Sequence, residues 1–319
     1  MKNLNISIDD GSSCIKIAFK NNLGEIVTDC LFSRVIRKAI PSMVTDGFSS
    51  SSYQVDNKNY SVIESGAKPI PTNNKEYQYS IHNRVLIQHA IKKVMGHFSV
   101  KPENVNLLVT LPVGQFFNSD GSRNCDLINK KIKNINGDIL SLDNADLIKI
   151  SNCYVMPEGI PAYNHVKNSI NSTGTRDLMV DIGGTTTDLV IITDGNQVEN
   201  FKSANIGVLE TIQRFSLLAC ERLQLTELTD SKAHQGLFNG LVIGCDVSDI
   251  SSRVIDEFKS LVNEQVTSMG ELKTFDTVMY SGGGACFLDS SEVDIIKSDT
   301  PQFDNCIGGL DILEVIING

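Results

Sequence analysis

The sequence has no tryptophan, and its aromatic residues amount to 6% of the chain. That leaves little from which to build a platform for stacking bases. It has no GxxxxGK[ST] segment and no GxGxxG after a strand, which excludes a P-loop NTPase and a dinucleotide fold. The 8 cysteines include no CxxC pair and stand near no cluster of histidines, so a zinc site is not expected. In a cytosolic chain such cysteines are expected to be reduced and packed as small hydrophobes. No apolar run is long enough to cross a bilayer. The opening "MKNLNISIDD" has neither the h-region of a signal peptide nor the arginines of a transit peptide, so a cytoplasmic location without membrane contact is expected. Positive charge is also short, with 28 Lys and Arg against 38 Asp and Glu, a net charge of −10. That balance repels phosphate backbones, so no direct contact with nucleic acid is expected.

What is present fits a globular protein of ordinary composition, 41% hydrophobic over 319 residues, long enough to favour two domains. One plan occurs twice. "LNISIDDGSSCIKIAF" (residues 4–19) reads as a strand, an Asp-Gly turn and a second strand, and "NNLG" then turns the chain into "EIVTDC". "LMVDIGGTTTDLVII" (residues 178–192) repeats it, and "TDGN" leads into "QVEN". A third polar turn, "VMYSGGGA" (residues 278–285), follows an apolar strand and precedes a helix. Helical spacing appears over residues 85–95, 208–223 and 250–269, the last with Ile255, Phe258, Leu261, Val262 and Val266 on one face. Residues 105–111 read as a strand that Pro112 stops, and residues 49–52 and 69–75 read as surface loops. Hairpins followed by helices imply an α/β protein with mixed sheets flanked by helices.

The polar turns suit phosphate. Glycines let backbone N–H groups approach an anion, and hydroxyls add donors around it. Gly11, Ser12 and Ser13 form one jaw; Gly183, Gly184, Thr185, Thr186 and Thr187 form the other. Carboxylates in the same turns make sense only with a cation between, so Asp9 and Asp181 read as outer-sphere anchors for Mg2+. Lys16 can place a point charge on a phosphate oxygen. Alone, "DDGSS" is a common surface turn and "SGGGA" fits a helix start; all three turns in this order point to a ligand at the carboxyl ends of strands. The dispersed histidines read as ordinary. With no histidine in either turn, Ser12 and Thr185 are not activated nucleophiles.

These segments resemble the actin-like ATPases, a superfamily that includes actin, DnaK-type chaperones and sugar kinases. "IDDGSSCIK" looks like the first phosphate motif, "VDIGGTTTDL" like the second and "MYSGGGA" like the adenosine motif. "MPEGIPAY" (residues 156–163) and "DNCIGGLDIL" (residues 304–313) look like the two segments connecting the domains, the second with glycines at its small positions. "TLPVGQFF" and "MPEGIPA" are most similar to the ParM (StbA) plasmid-segregating actins.

The resemblance implies two actin-like (ribonuclease H-like) domains with a nucleotide cleft between them: residues 1–160 plus 303–319, and residues 161–302. It implies ATP or GTP with Mg2+, hydrolysis coupled to growth of a polar filament of the chain itself, and a ParR-like DNA-bound adaptor through which plasmid DNA is segregated. Glu158, which by itself reads as a helix-start glutamate after Pro157, takes from the resemblance the role of orienting the attacking water. Asp181 would hold the metal and the water, Asp9 would share the metal, and Asp10 is the neighbour not separable from it. Gly282, Gly283 and Gly284 would lie against the base, with Gly207 and Glu210 near the ribose; Asp188 would cap or pair locally. The alternative is a metabolite kinase of the same fold. A chaperone would carry a substrate domain after Gly319, and a membrane-tethered division actin an amphipathic tail, where "DILEVIING" reads as a last core helix.

Overall fold

The computed structural model describes residues 3–44, 46–98, 102–170, 173–288 and 296–319. The runs on either side of the first Asp-Gly turn pair as an antiparallel hairpin, β1 (Leu4–Asp10) with β2 (Cys14–Lys20), so that Ile6 faces Phe19 and Ile8 faces Ile17. Both strands are mostly buried, although β1 alternates Leu4, Ile6 and Ile8 with Asn5, Ser7 and Asp9. β3 (Ile26–Phe32) pairs outside β2 and alternates exposed and half-buried residues, as an edge strand does. β4 (Asn104–Leu111) and β5 (Lys149–Pro157) add in parallel on the other side, giving a five-stranded sheet in the order β3-β2-β1-β4-β5.

The second half retraces this path. β6 (Arg176–Ile182), β7 (Thr187–Thr193) and β8 (Gln197–Ala204) form an antiparallel meander, and β9 (Thr277–Ser281) pairs parallel to β6. The order is β8-β7-β6-β9, and Ile296 makes a parallel bridge to Met279 where the first sheet has its fifth strand. The repeat seen in the sequence is therefore a repeat of topology. A small sheet of residues 35–36, 52–55, 58–62 and 140–141 completes the first half.

Helices cover both sheets. α1 (Ile81–Met95) starts where the Ser80 hydroxyl accepts the Asn83 N–H. α2 (Val113–Phe116) is a single turn after Pro112, and α3 (Cys125–Ile135) is capped by Asn124. α4 (Ile160–Ser169) follows β5; α5 (Val208–Leu223), α6 (Asp230–Asn239) and α7 (Ser248–Ser268) lie between β8 and β9; α8 (Asp304–Asn318) ends the chain. The first sheet shares a core with α1 through Val85, Leu86 and Ile91, and the second with α5 and α7 through Phe215, Phe258 and Val262. Ala162, Tyr163 and Val166 of α4 pack on the second sheet, whereas Cys306 and Leu310 of α8 pack on Ala18 of the first. The two helices cross at Gly308, where a Cβ would stand 1.9 Å from the Pro161 carbonyl oxygen.

Some local expectations fail. On α7 the buried stripe is Ile250, Val254, Phe258, Val262 and Val266, a strict four-residue step, and Leu261 is left 46% exposed. Ser52 is no loop residue but a buried strand position bonded to Ser61. The cysteines are all free, but Cys30, Cys125, Cys245 and Cys286 are exposed and only Cys306 is fully buried. Among the described residues, no helix is long and apolar enough to cross a membrane.

Candidate active site

The two hydroxyl-rich turns leave the carboxyl ends of the innermost strands, β1 and β6, and meet. Ser12 Oγ lies 3.0 Å from Thr185 Oγ1. A Cβ on Gly184 would stand 2.6 Å from the Ser13 Cβ, so the turns touch only because residue 184 has no side chain. The second turn is closed by the Gly183 N–H donating to the Thr186 carbonyl at 2.8 Å. The start of α5 rests on it, with the N–H groups of Val208 and Leu209 donating to the carbonyls of Gly183 and Gly184 at 3.2 and 2.9 Å. The first turn is braced by Thr72 Oγ1 donating to the Ser12 carbonyl and Tyr77 OH donating to that of Gly11.

Around this meeting point opens a cleft of about 910 Å³. Asp9, Gly11, Ser12 and Lys16 line it from the first half, with Glu158 at the crossing between the halves. Asp181, Gly183, Gly184, Thr185, Thr186, Gly207, Glu210 and Gly282 line it from the second. The loop expected on the surface at residues 69–75 contributes Thr72, Asn73, Asn74 and Lys75 to its wall.

Other expected site residues stand elsewhere. The Asp10 carboxylate is fully buried away from the cleft, accepting hydrogen bonds from Lys131 Nζ, from Asn83 Nδ2 at 2.5 Å and from the Thr110 N–H at 3.3 Å. The side chains of Asp9 and Asp10 point to opposite faces of β1, because successive strand residues alternate. Ser13 lies behind the cleft wall against Gly184. The three glycines of "SGGGA" also separate: Gly282, in the left-handed region at φ +83°, lines the cleft, whereas a Cβ on Gly284 would stand 2.1 Å from Ile182 Cγ2, and one on Gly283 would meet nothing within 4 Å.

The cleft floor is rich in carboxyl groups. Lys16 Nζ donates to Asp9 Oδ2 at 3.0 Å, and Thr110 Oγ1 donates to Asp9 Oδ1 at 3.3 Å. Burial pushes the Lys16 ammonium down, but the Asp9 charge and hydrogen bond, with Cys14 and Asp181, together outweigh it and hold it above its ordinary value. Asp181 accepts from Ser281 Oγ at 3.0 Å and from Asn305 Nδ2 at 2.6 Å. Burial, then the Asp9 charge, push Asp181 up to about 7, against the pull of the Asn305 bond. Glu158 is held well above the usual carboxylate range by burial and then by Asp188, Asp9 and Asp181. Asp188 is raised to about 6 by burial, opposed by its hydrogen bonds from Ser203, Thr186 and the Val113 N–H and by the neighbouring Glu158.

So much negative charge facing one ammonium suits a bound cation. Among the described residues, no three His, Cys, Asp or Glu side chains converge on a point that could hold a metal ion. Asp9 and Asp181 therefore suit an ion held through its water shell rather than a bare one.

Asn305, Ser281, Thr110 and the reach of Asp188 across to Val113 on the first half are site contacts with no counterpart among the sequence expectations. Asn305 falls within the segment recognised as a connector, and a polar residue beside a run that packs on strands was a usable signal. The other contacts depend on which strands become neighbours. A further link between the halves is the ion pair of Arg34 with Asp230 at the start of α6.

The profile of the family described as "Plasmid segregation protein ParM, N-terminal" matches residues 4–169, just over half of the sequence. The chain belongs to the ParM family. Its fold is actin-like. A 15-stranded ParM filament from Clostridium botulinum is similar over 99% of this chain and 100% of its own, with a TM-score of 0.75 at 17% identity. Ta0583, an archaeal actin homologue, in complex with ADP, is similar over 98% of this chain and 99% of its own, with a TM-score of 0.73 at 17% identity. Bacillus thuringiensis ParM with AMPPNP is similar over 99% of this chain and 100% of its own, with a TM-score of 0.64 at 12% identity. No curated protein matches the chain.

Proposed function

We propose that this ParM-family protein binds ATP or GTP with Mg2+ in the cleft, hydrolyses it, and uses the cycle to build and dismantle a polar filament of its own copies. A DNA-bound, ParR-like adaptor would couple that filament to plasmid DNA, since the net charge of −10 argues against direct contact with nucleic acid. The observation that carries the reading is the 3.0 Å approach of Ser12 and Thr185, one hydroxyl from each half, above the carboxyl groups of Asp9, Asp181 and Glu158. Such an arrangement can close on a terminal phosphoryl group from both sides. The ADP and AMPPNP bound by the related structures are consistent with it.

In this reading Ser12, Thr185 and Thr186, with the N–H groups of Gly11 and Gly184, hold phosphate oxygens. Gly282 forms the wall against the base, and Gly207 and Glu210 approach the ribose. Asp9 and Asp181 hold the water shell of the metal; a bound Mg2+ neutralises charge on the phosphates. Lys16 offsets Asp9 and reaches toward the phosphates. Glu158 orients the attacking water and accepts its proton.

Calorimetry with MgATP and MgGTP, combined with sedimentation, tests this. Binding heat, and polymer that pellets only with nucleotide and magnesium, are expected. Phosphate transfer to a small metabolite without pelleting would instead assign the cleft to a kinase.

A further inference from the structure

Asn305 sits in the first turn of α8, is 3% exposed, and touches both sides of the cleft floor. Its Nδ2 donates to Asp181 Oδ2 at 2.6 Å, and its Oδ1 accepts the Gly159 N–H at 3.1 Å. Gly159 directly follows Glu158 and holds φ +84° at the start of α4. The Glu158 N–H donates to the Leu111 carbonyl at 2.7 Å, so the Glu158–Gly159 peptide segment is tied to β4 on one side and to Asn305 on the other. The amide orientation is fixed by its partners, because a backbone N–H only donates and the Asp181 oxygen takes the remaining bond.

Resting on the nucleotide reading above, we infer that Asn305 is a positioning residue. One side-chain amide sets the rotamer of the metal-side carboxylate Asp181 and, through Gly159, the backbone that carries Glu158. The two groups come from different strands, β6 and the end of β5, and a single planar amide fixes their separation. Asparagine suits this because it offers a donor and an acceptor on one short, stiff group. α8 is itself held against α4 and β1, since Gly308 and Gly309 leave no space for a Cβ against Pro161 O, at 1.9 Å, or Ser7 Oγ, at 2.3 Å. Asn305 thus projects from a fixed support. Partners that orient a metal-side ligand are commonly worth about 10–100-fold in metal affinity or activity.

The test uses the full chain and three variants. Asn305→Leu keeps the volume and removes both bonds; Asn305→Ala removes them and leaves space; Ser281→Ala removes the other donor to Asp181, 3.0 Å away, and leaves Gly159 alone. Without nucleotide, amide hydrogen exchange at Gly159 should quicken about tenfold or more in either Asn305 variant and stay unchanged in Ser281→Ala. With nucleotide, turnover at saturation should fall about 10–100-fold in the Asn305 variants, and the magnesium needed for half-maximal turnover should rise about tenfold. KM for nucleotide should move less than about threefold, and Ser281→Ala should shift the magnesium dependence only. A folded Asn305 variant with unchanged Gly159 exchange, or with unchanged turnover and magnesium dependence, overturns the assignment. If the parent protein gives no binding heat with MgATP or MgGTP, the nucleotide reading fails and this role falls with it. The Gly159 exchange result would still report the brace independently. If neither Asn305 variant folds, an unaltered magnesium dependence in Ser281→Ala counts against the assignment.

Discussion

Ser12 and Thr185 are 173 positions apart in the chain, stand on different sheets, and bring their hydroxyl oxygens to 3.0 Å. Each is the other's partner until something better is offered, and a phosphate oxygen accepts from both. Thr185→Val keeps the branched shape and removes the donor. Affinity for MgATP or MgGTP, read by calorimetry, should fall about 5–10-fold, the worth of a single hydrogen bond, with the melting temperature nearly unchanged.

Glu158→Gln keeps the size of a buried side chain while removing its charge and its ability to take a proton. Hydrolysis, followed by phosphate release, should drop by about 100-fold or more, whereas nucleotide-dependent pelleting should persist. Wild-type hydrolysis in this variant would remove Glu158 from its assigned role.

The adjacent glycines of the third polar turn should respond oppositely. Gly284→Ala drives a methyl to 2.1 Å from Ile182 Cγ2, on a buried branched side chain with no room to swing. It should cost about 1–3 kcal/mol in chemical denaturation. Gly283→Ala meets nothing within 4 Å and should stay within about 0.5 kcal/mol of the parent.

Asp304, next to Asn305, supplies a pH test. It is buried, accepts from Ser298 Oγ at 2.6 Å, and is pushed up to about 8, mainly by burial. A carboxyl raised in the folded state binds a proton that the unfolded chain releases near its ordinary 3.8. Its contribution is therefore favourable at low pH and is lost as pH climbs from about 4 to about 8. Asp304→Asn removes that slope. Compared with the parent, the variant should gain stability at pH 8 by an amount of order a few kcal/mol and gain little at pH 5, measured by denaturant titration at both values.

The repeated hairpins were legible because the Asp-Gly and Gly-Gly turns stand out between strands rich in buried apolar residues. α5 was legible to the residue, since its apolar spacing is regular and α5 starts directly after Gly207. Asp181 and Lys16, each in or next to a recognisable turn, line the cleft, as does Glu158, which by itself read as a helix-start glutamate and was singled out only through the resemblance of "MPEG". The role of Asp10 was misread because strand alternation, not proximity in sequence, decides which of two neighbouring carboxylates faces the cleft. The Asp188 bond to Thr186 is the local pairing expected, but its bond from the Val113 N–H and that of Asn305 to Asp181 join residues more than 70 positions apart, and local spacing carries no such information. Leu261 was misplaced because a stripe stepping by four residues drifts around the helix, and the α5–α7 packing follows that drift.

The near-contact of α4 and α8 at Pro161 and Gly308 has a mechanical result. The chain passes between the sheets twice, and both passages rest against each other, so sliding one half along the other would drive a backbone carbonyl into a helix. Rotation about that fulcrum is the movement left to them. The halves are tied at a second place as well, where Arg34 reaches Asp230, so any such rotation must part that ion pair.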